Sequence, residues 1–588
     1  LASCHVGVDS GETAWRKNMS ENKKIVEHGP TGLKRIPIGI SDYRKLKTGD
    51  YYIVDKSLLI KEFLDSGAEV TLVTRPRRFG KTLNMSMMAE FFDITKDSKD
   101  IFKDTAIMDT EYIREMNQYP TIFLSFADAK GSQMRIVKCI KEQLLTAYRC
   151  NAHLLKDPDM FDKPKFDLIM KGLSSLDDGS LETIDQAIAY LMEKCHQYYG
   201  KKVMLIIDEY DTPFIEAHVG NVYSEIHSAL AGLLSSALKD NPNLQNAMLT
   251  GIQRVAKENI FSGLNNPEVR TVSDKAYSQH FGFVKKEVDI LLKYYGLECS
   301  DEVKAMYDGY NIGGTEIYNP WSILNYAKNH KLIPYWVNVS SNQLIKKAME
   351  EIRKKPETHG EHKSGFETKY EELIEKKQVE TVMDLQKCFY EESDAVSLWG
   401  LFVNAGYLTI KQEKSSTYLL EIPNNEVAEE FQRLTLNYLN KDYDIFTMMM
   451  RGLYDKEPNV FIENYRDFLL NSTSYHDLIS ENSYHTLLLG MCACLYADYE
   501  VKSNQEAGKG RYDIVLQSKT NKFPSYIIEL KYLKKEEYDK HPKLLKEKCE
   551  EALRQIEMNR YDITLSGQII HIALTHSGKD VEMLWKEA

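Results

Sequence analysis

"TLVTRPRRFGKTLNMSMM", residues 71–88, decides how the first half of the chain is read. Val70 to Thr74 form an apolar and β-branched run that enters a turn ending Gly80-Lys81-Thr82, and a helical pattern follows. This is the layout of a phosphate-binding loop of the Walker A type, GxxxxGK[ST]. Such a loop must follow a strand and open a helix, so that backbone N–H groups and the helix dipole face an anion. Lys81 would then reach the β- and γ-phosphates and Thr82 would ligate Mg²⁺. Arg75 stands where the first glycine is expected. Arginine resists the torsions that glycine permits, and Pro76 pushes Arg75 toward extended backbone. The loop is therefore expected to start differently, while its Gly80-Lys81-Thr82 end meets the phosphate.

A nucleotide site also needs a buried strand that ends in acid. "VMLIIDEYD", residues 203–211, supplies it. Asp208 would hold Mg²⁺, and Glu209 would orient or deprotonate the attacking water. Strands are expected at Val70–Thr74, Thr121–Phe126, Val203–Ile207 and Ala247–Ile252, with helical patterns between them. That alternation predicts an α/β fold, a parallel sheet covered on both faces.

The motifs "IPIGISDYRKL", "YYIVDKSLLI", "RPRRFGKTLNMSMM", "IIDEYDTPF" and "GIQRVAKENIFSGLNN" occur in that order. Over roughly residues 31 to 285 the chain resembles the AAA-ATPase-like proteins of bacteria. The resemblance makes Arg75 a family trait and implies ATP bound on a P-loop core by Arg78, Phe79, Gly80, Lys81 and Thr82. It also implies a sensor strand before "TGIQR", with Thr250 near the γ-phosphate. Arg254 is a candidate transition-state arginine, with a structural ion pair as the equal alternative.

Near the other end, "GKGRYDIVL" precedes "SYIIELKYL". Glu529 and Lys531 are two apart, so on a strand they share a face. Asp513 joins them if the two strands pair. Two carboxylates beside a lysine suit Mg²⁺; such a metal acidifies bound water and neutralises phosphate charge. Lys531 would steady the attacking hydroxide or the scissile phosphate. The order of a helix with Glu481, a strand with Asp513, the E-x-K strand and a helix with Gln555 is similar to the PD-(D/E)XK nuclease superfamily over about residues 459 to 588. That resemblance implies Asp513, Glu529 and Lys531 as the core, with Glu481, Glu506, Gln555 and Tyr561 as accessories. Lys509 and Arg511 would lie close enough to contact phosphate.

Between these ends, "FVKKEVDILLKYYG" and "WSILNYAKNH" read as amphipathic helices. "AVSLWGLFVNAGYLTIKQ" followed by "TYLLEIPNN" reads as a helix and a hairpin, giving a helical or winged-helix-like middle. Residues 350 to 380, rich in Lys and Glu, read as solvated, and no internal repeat is evident. The expected organisation is a tail over 1–30, a P-loop ATPase over 31–285, the middle over 286–458 and a restriction-endonuclease-like α/β domain over 459–588.

At 588 residues the chain has room for roughly four domains. The net charge of −12 argues against an extensive nucleic-acid-binding coat. From residue 505 onward 15 Lys and Arg balance 14 Asp and Glu, which neither makes nor denies a local basic groove. The longest apolar run, Leu487 to Ala497, falls short of the ~20 residues that span a bilayer. No signal-peptide pattern is seen, and residues 1 to 18 lack periodicity, so Met19 is the expected start. Nine cysteines without metal-type pairing read as reduced thiols of a cytoplasmic protein, with Cys492 and Cys494 in the core. The functional expectation is an ATPase, using ATP and Mg²⁺, that controls DNA cleavage, with defence or mobile-element biology as the expected setting. A homo-oligomer is compatible with it. The rival expectations are a nucleotide-dependent switch whose nuclease fold is silent and serves binding, and a regulatory NTPase whose middle binds DNA without cutting.

Overall fold

The computed structural model describes residues 32–588 except 157–161, 176–180, 182–183, 256–266, 337–342, 355–364, 392, 439–442, 473–480, 493–494, 496–497 and 521. The expected tail over 1–30, all of "AKENIFSGLNN" and Cys494 therefore lie outside the described residues.

Five strands, β1 (Val70–Thr74), β2 (Thr121–Ser125), β3 (Val203–Asp208), β4 (Leu244–Gly251) and β5 (Glu268–Arg270), form a parallel sheet in the order β2-β3-β4-β1-β5. Every residue of β1 and β3 is buried. This is why these strands read as continuous apolar runs: helices cover both faces of the sheet. The order places β4 between β1 and β3, with Val73 beside Thr250 and Ile207 beside Leu249. The loop after β1, the acids after β3 and the end of β4 therefore meet at one sheet edge, the carboxyl-end crevice where open α/β sheets take ligands. Helix α1 (Lys81–Phe92) leaves directly from the loop, and α2 (Thr212–Val219) follows the acids.

The middle holds two small antiparallel sheets. One joins β6 (Phe283–Val284), β7 (Tyr310–Ile312) and β8 (Thr315–Tyr318), and helix α3 (Pro320–Asn329) follows it. The other joins β9 (Gln378–Thr381), β10 (Thr409–Glu413) and β11 (Tyr418–Glu421) in the order β10-β11-β9. Helix α4 (Ala395–Ala405) precedes that hairpin, the helix-then-hairpin expected there, and α5 (Asn425–Tyr438) follows it. The sheets abut where Asn311 donates from its backbone to Thr409 Oγ1 at 2.8 Å.

At the C-terminal end, helix α6 (Glu481–Cys492) precedes β12 (Tyr499–Ser503), the short hairpin β13 (Glu506–Ala507) and β14 (Gly510–Arg511), β15 (Ile514–Ser518) and β16 (Ser525–Tyr532). Helix α7 (Leu544–Asn559) then crosses to β17 (Ile569–Ser577), and β18 (Asp580–Glu587) returns antiparallel to it. The sheet order is β12-β15-β16-β17-β18, with only β16 and β17 parallel. Parallel neighbours need a crossover, and α7 provides it. One buried apolar cluster runs from Tyr43 through all three regions to Val581. Among the described residues no helix is long and apolar enough to cross a membrane.

Candidate active sites

The loop after β1 turns without its first glycine. Arg78 takes a positive φ of 70° and Gly80 one of 81°, so the left-handed steps fall later in the loop. Arg75 is instead fully buried. Its Nη1 donates to the carbonyls of Thr74 and Thr271, both at 2.8 Å, and its Nη2 to that of Ala276 at 3.2 Å. Burial pulls its guanidinium down to about 10 against Asp274 and Glu62. Arg75 thus pins the loop to the segment after β5, and its backbone N–H bonds the Gly251 carbonyl at 3.1 Å.

Gly80 caps α1, so the helix N-terminus opens onto a cavity of about 610 Å³ lined by Arg78, Phe79, Gly80, Lys81, Thr82 and Glu209 among others. That volume suits a small-molecule ligand. Lys81 is 3 % exposed; its Nζ donates to the carbonyls of Arg75 and Pro76 at 3.1 Å and pairs with Glu209 at 3.2 Å. Thr82 Oγ1 donates to Asp208 Oδ2 at 2.8 Å, Ser125 Oγ to the same oxygen at 3.2 Å, and Thr250 Oγ1 to Asp208 Oδ1 at 2.9 Å. Burial, then the neighbouring Glu209, pushes the Asp208 carboxyl up to about 6. Burial also works upward on Glu209, but Lys81 and Arg77 outweigh it and hold that carboxyl below its ordinary value. Glu209 itself sits at a positive φ of 51°.

The structure therefore brings Lys81, Thr82, Asp208, Glu209 and Thr250 together. Thr82 and Asp208 offer hard oxygens at one point, a donor set that fits Mg²⁺. Arg254 is not part of this group: its Nη1 donates to Gln386 Oε1 at 2.8 Å, and it does not line the cavity. Phe79 contributes backbone only, since its ring is buried edge-on against Tyr310 at 4.9 Å.

Two further contributions were not read from sequence. Asp211, the last acid of "IIDEYD", accepts from the backbone N–H of Ile252 at 2.7 Å and of Gln253 at 2.8 Å, which fixes the end of β4 beside Asp208. Burial and then Glu209 push its carboxyl up to about 6. The cavity also has an apolar lining, with Ile40, Ile53, Leu83, Met87, Trp321 and Leu324. The "IPIGISDYRKL" and "YYIVDKSLLI" motifs supply Ile40 and Ile53. Trp321 comes from α3, and the Arg78 guanidinium sits 4.3 Å over its ring.

In the second site, β15 pairs with β16 so that Ile514 faces Ile528. Extended by one residue, that antiparallel register would set Asp513 opposite Glu529. Asp513 lies one residue before β15, in a bend, and its Oδ2 accepts from the Leu530 N–H at 2.7 Å. His485 of α6 steadies that bend: its Nε2 lies 3.2 Å from the Asp513 carbonyl and 2.9 Å from Ser503 Oγ. Glu529 is 2 % exposed. Its Oε1 accepts from Lys531 Nζ at 3.1 Å and from Gln555 Nε2. Its Oε2 is buried and has no hydrogen-bond partner among the described residues. A buried carboxylate oxygen left unpaired is costly, which fits a site shaped for a cation.

Burial, then Asp513, pushes the Glu529 carboxyl up to about 7. Burial works downward on Lys531, yet Glu529 outweighs it and raises that ammonium. Glu481, exposed at the first turn of α6, lies near enough to act on both charges. Tyr561 Oη accepts from Gln555 at 3.2 Å and donates to the Arg511 carbonyl at 2.8 Å. Glu506 is exposed on the β13–β14 hairpin opposite Arg511 and makes no hydrogen bond to Glu529. Among the described residues no three His, Cys, Asp or Glu side chains gather as a metal cluster. Asp513 and Glu529 would thus be the protein's carboxylate pair, and Mg²⁺ commonly completes its shell with water and phosphate oxygens.

Comparison with known proteins matches the two regions that carry these groups. A protein described as "Uncharacterized protein in vnfD 5'region", from Azotobacter chroococcum mcd 1, is 27 % identical over 433 residues, covering 72 % of this chain and 74 % of that protein. Residues 37–261 match the family model described as predicted AAA-ATPase, and residues 479–586 match that of the PD-(D/E)XK nuclease superfamily. The chain joins an AAA-ATPase-like domain to a C-terminal domain of the PD-(D/E)XK nuclease superfamily.

Proposed function

We infer that the protein is an ATP-controlled, Mg²⁺-dependent nuclease acting on DNA. In this reading Lys81 and the N–H groups opening α1 bind the phosphates. Thr82 and Asp208 hold the cation, and Glu209 orients water once Lys81 has left it for the phosphates. The apolar lining with Trp321 takes the base. At the second site Asp513 and Glu529 hold a divalent cation, which supplies charge neutralisation at phosphate and a more acidic water. Gln555 and Lys531 fix the Glu529 carboxylate, and Lys531 places its ammonium where an anionic phosphate arrives.

One observation supports control of one site by the other. Trp321, under Arg78 of the loop, is followed on α3 by Ser322. Ser322 Oγ bonds both oxygens of the buried Glu426 carboxyl, at 2.9 and 2.8 Å. Glu426 opens α5, and α5 packs on α6, the helix that carries Glu481 and His485. A ligand that moves Arg78 or Trp321 thus acts on one end of a continuous packed path to the nuclease site. Coupling requires nucleotide to interact differently with two arrangements of that path. Cleavage of linear, circular and single-stranded DNA in Mg²⁺, with ATP, ADP or no nucleotide, tests the reading. Absence of cleavage on every substrate would leave the switch with a silent nuclease fold.

A further inference from the structure

Beside the second site two large apolar side chains stand open among the described residues. Met558, in the last turn of α7, is 75 % exposed, and Ile563, in the following turn, is 54 % exposed. Leaving large apolar side chains this open is informative when they cluster. The β13–β14 hairpin locks against the same turn. A Cβ on Gly508, which has a positive φ of 58°, would stand 1.9 Å from the Asn559 carbonyl oxygen, and Lys509 N–H bonds that carbonyl at 2.8 Å. The hairpin tip and the helix end therefore form one rigid rim.

Four cations belong to the segments joined at this rim: Lys509 and Arg511 on the hairpin, Arg554 one turn before Met558 on α7, and Arg560 just after the helix. All four are exposed, and none pairs with a carboxylate among the described residues, although Glu506 faces Arg511 across the hairpin. Glu557 is turned away to Lys586. The rim is tied to the carboxylate site through two side chains, since Gln555 bonds both Glu529 and Tyr561, and Tyr561 bonds the Arg511 carbonyl.

Unpaired cations on the same rim as an exposed aliphatic pair match the chemistry of a DNA backbone and a base step. Aromatic platforms stack the bases of single strands; aliphatic wedges enter a duplex step and unstack it. Resting on the nuclease reading of the neighbouring site, we propose that Met558 and Ile563 form a wedge that enters duplex DNA, while Lys509, Arg511, Arg554 and Arg560 hold the flanking phosphates. The wedge bends and opens the duplex next to Asp513 and Glu529, which brings a backbone phosphate within reach of that site.

The test uses the full chain, Ca²⁺ in place of Mg²⁺, and a short duplex carrying 2-aminopurine, read by anisotropy at several salt concentrations and by 2-aminopurine fluorescence. Wild type should bind and brighten the probe. Met558→Ser with Ile563→Ser should bind roughly tenfold more weakly, lose the brightening and keep the salt slope, and Met558→Leu should restore the signal. Lys509→Gln with Arg511→Gln should lower the salt slope by about 2 and keep the brightening at saturation. Unchanged ATP turnover and melting would show each variant folded. A serine double variant that is folded and brightens the probe as wild type does overturns the wedge. Loss of brightening in a protein whose wild type cuts no DNA in Mg²⁺ would support the surface and sink the nuclease reading. Unchanged brightening in a variant of an active nuclease would do the reverse.

Discussion

Replacing Glu426 by glutamine should remove one large part of the pH dependence of the protein's stability. Glu426 is 1 % exposed, and its Oε1 accepts from the N–H groups of Tyr335 and Trp336, each at 2.6 Å. Its Oε2 faces Ser322 Oγ at 2.8 Å. Burial pushes the carboxyl up to about 7, and the three hydrogen bonds only partly offset this. An unfolded chain ionises glutamate at about 4.3. The folded state therefore holds the proton more tightly, so this group's stabilisation is complete below about pH 4 and is lost as pH rises through about 7. At ~1.4 kcal/mol per pH decade the difference amounts to about 4 kcal/mol. Glutamine imitates the neutral acid, with a carbonyl for the two N–H groups and an amide to donate to Ser322. Glu426→Gln should match wild type near pH 5 and exceed it by about 1–3 kcal/mol near pH 8. Glu426→Ala leaves two buried N–H groups unpaired and should cost about 2–5 kcal/mol at either pH. Urea unfolding followed by tryptophan fluorescence measures both. A glutamine variant that keeps the wild-type pH slope, or an alanine variant as stable as the glutamine one, would refute the reasoning.

At the nucleotide site, Lys81→Ala should lower ATP hydrolysis roughly 100-fold or more, while Glu209→Gln should keep ATP binding and lose turnover; calorimetry beside a phosphate-release assay separates them. Asp513→Ala should abolish DNA cleavage and weaken Mg²⁺ binding by titration. Its unfolding midpoint without metal should change by no more than about 1 kcal/mol, because the lost bond to Leu530 is set against relief of repulsion at Glu529. Lys531→Ala should keep metal binding and slow cleavage roughly 100-fold; equal loss of metal binding would make Lys531 a support of Glu529 alone.

Much of the parallel sheet was legible because its central strands are buried on both faces. Val70–Thr74 matches β1 residue for residue, and Val203–Ile207 lies within β3. Asp208 and Glu209 were legible for the same reason, as polar residues ending an apolar run. The Glu529 and Lys531 pair followed from the two-residue period of a strand. Strands of two to four residues, β5 to β9, carry too short a pattern to show a period, so of the middle's small sheets only the β10–β11 hairpin was read. Arg75 looked like a defect in the loop because its partners, Thr271 and Ala276, lie about two hundred residues away in sequence. Arg254 drew attention by its place after β4, yet its partner Gln386 belongs to the middle region. Trp321 and Glu426 had no local signature, since each acts through a contact between regions that only the folded chain brings together.

The account turns on whether nucleotide governs cleavage, and one assay meets that directly: Mg²⁺-dependent cutting of duplex DNA by wild type and Lys81→Ala, each with ATP, ADP or no nucleotide. Cleavage by wild type that changes with the nucleotide, and cleavage by Lys81→Ala that does not, is the expected result. Equal cleavage by wild type in all three conditions would contradict it, leaving two independent sites on one chain.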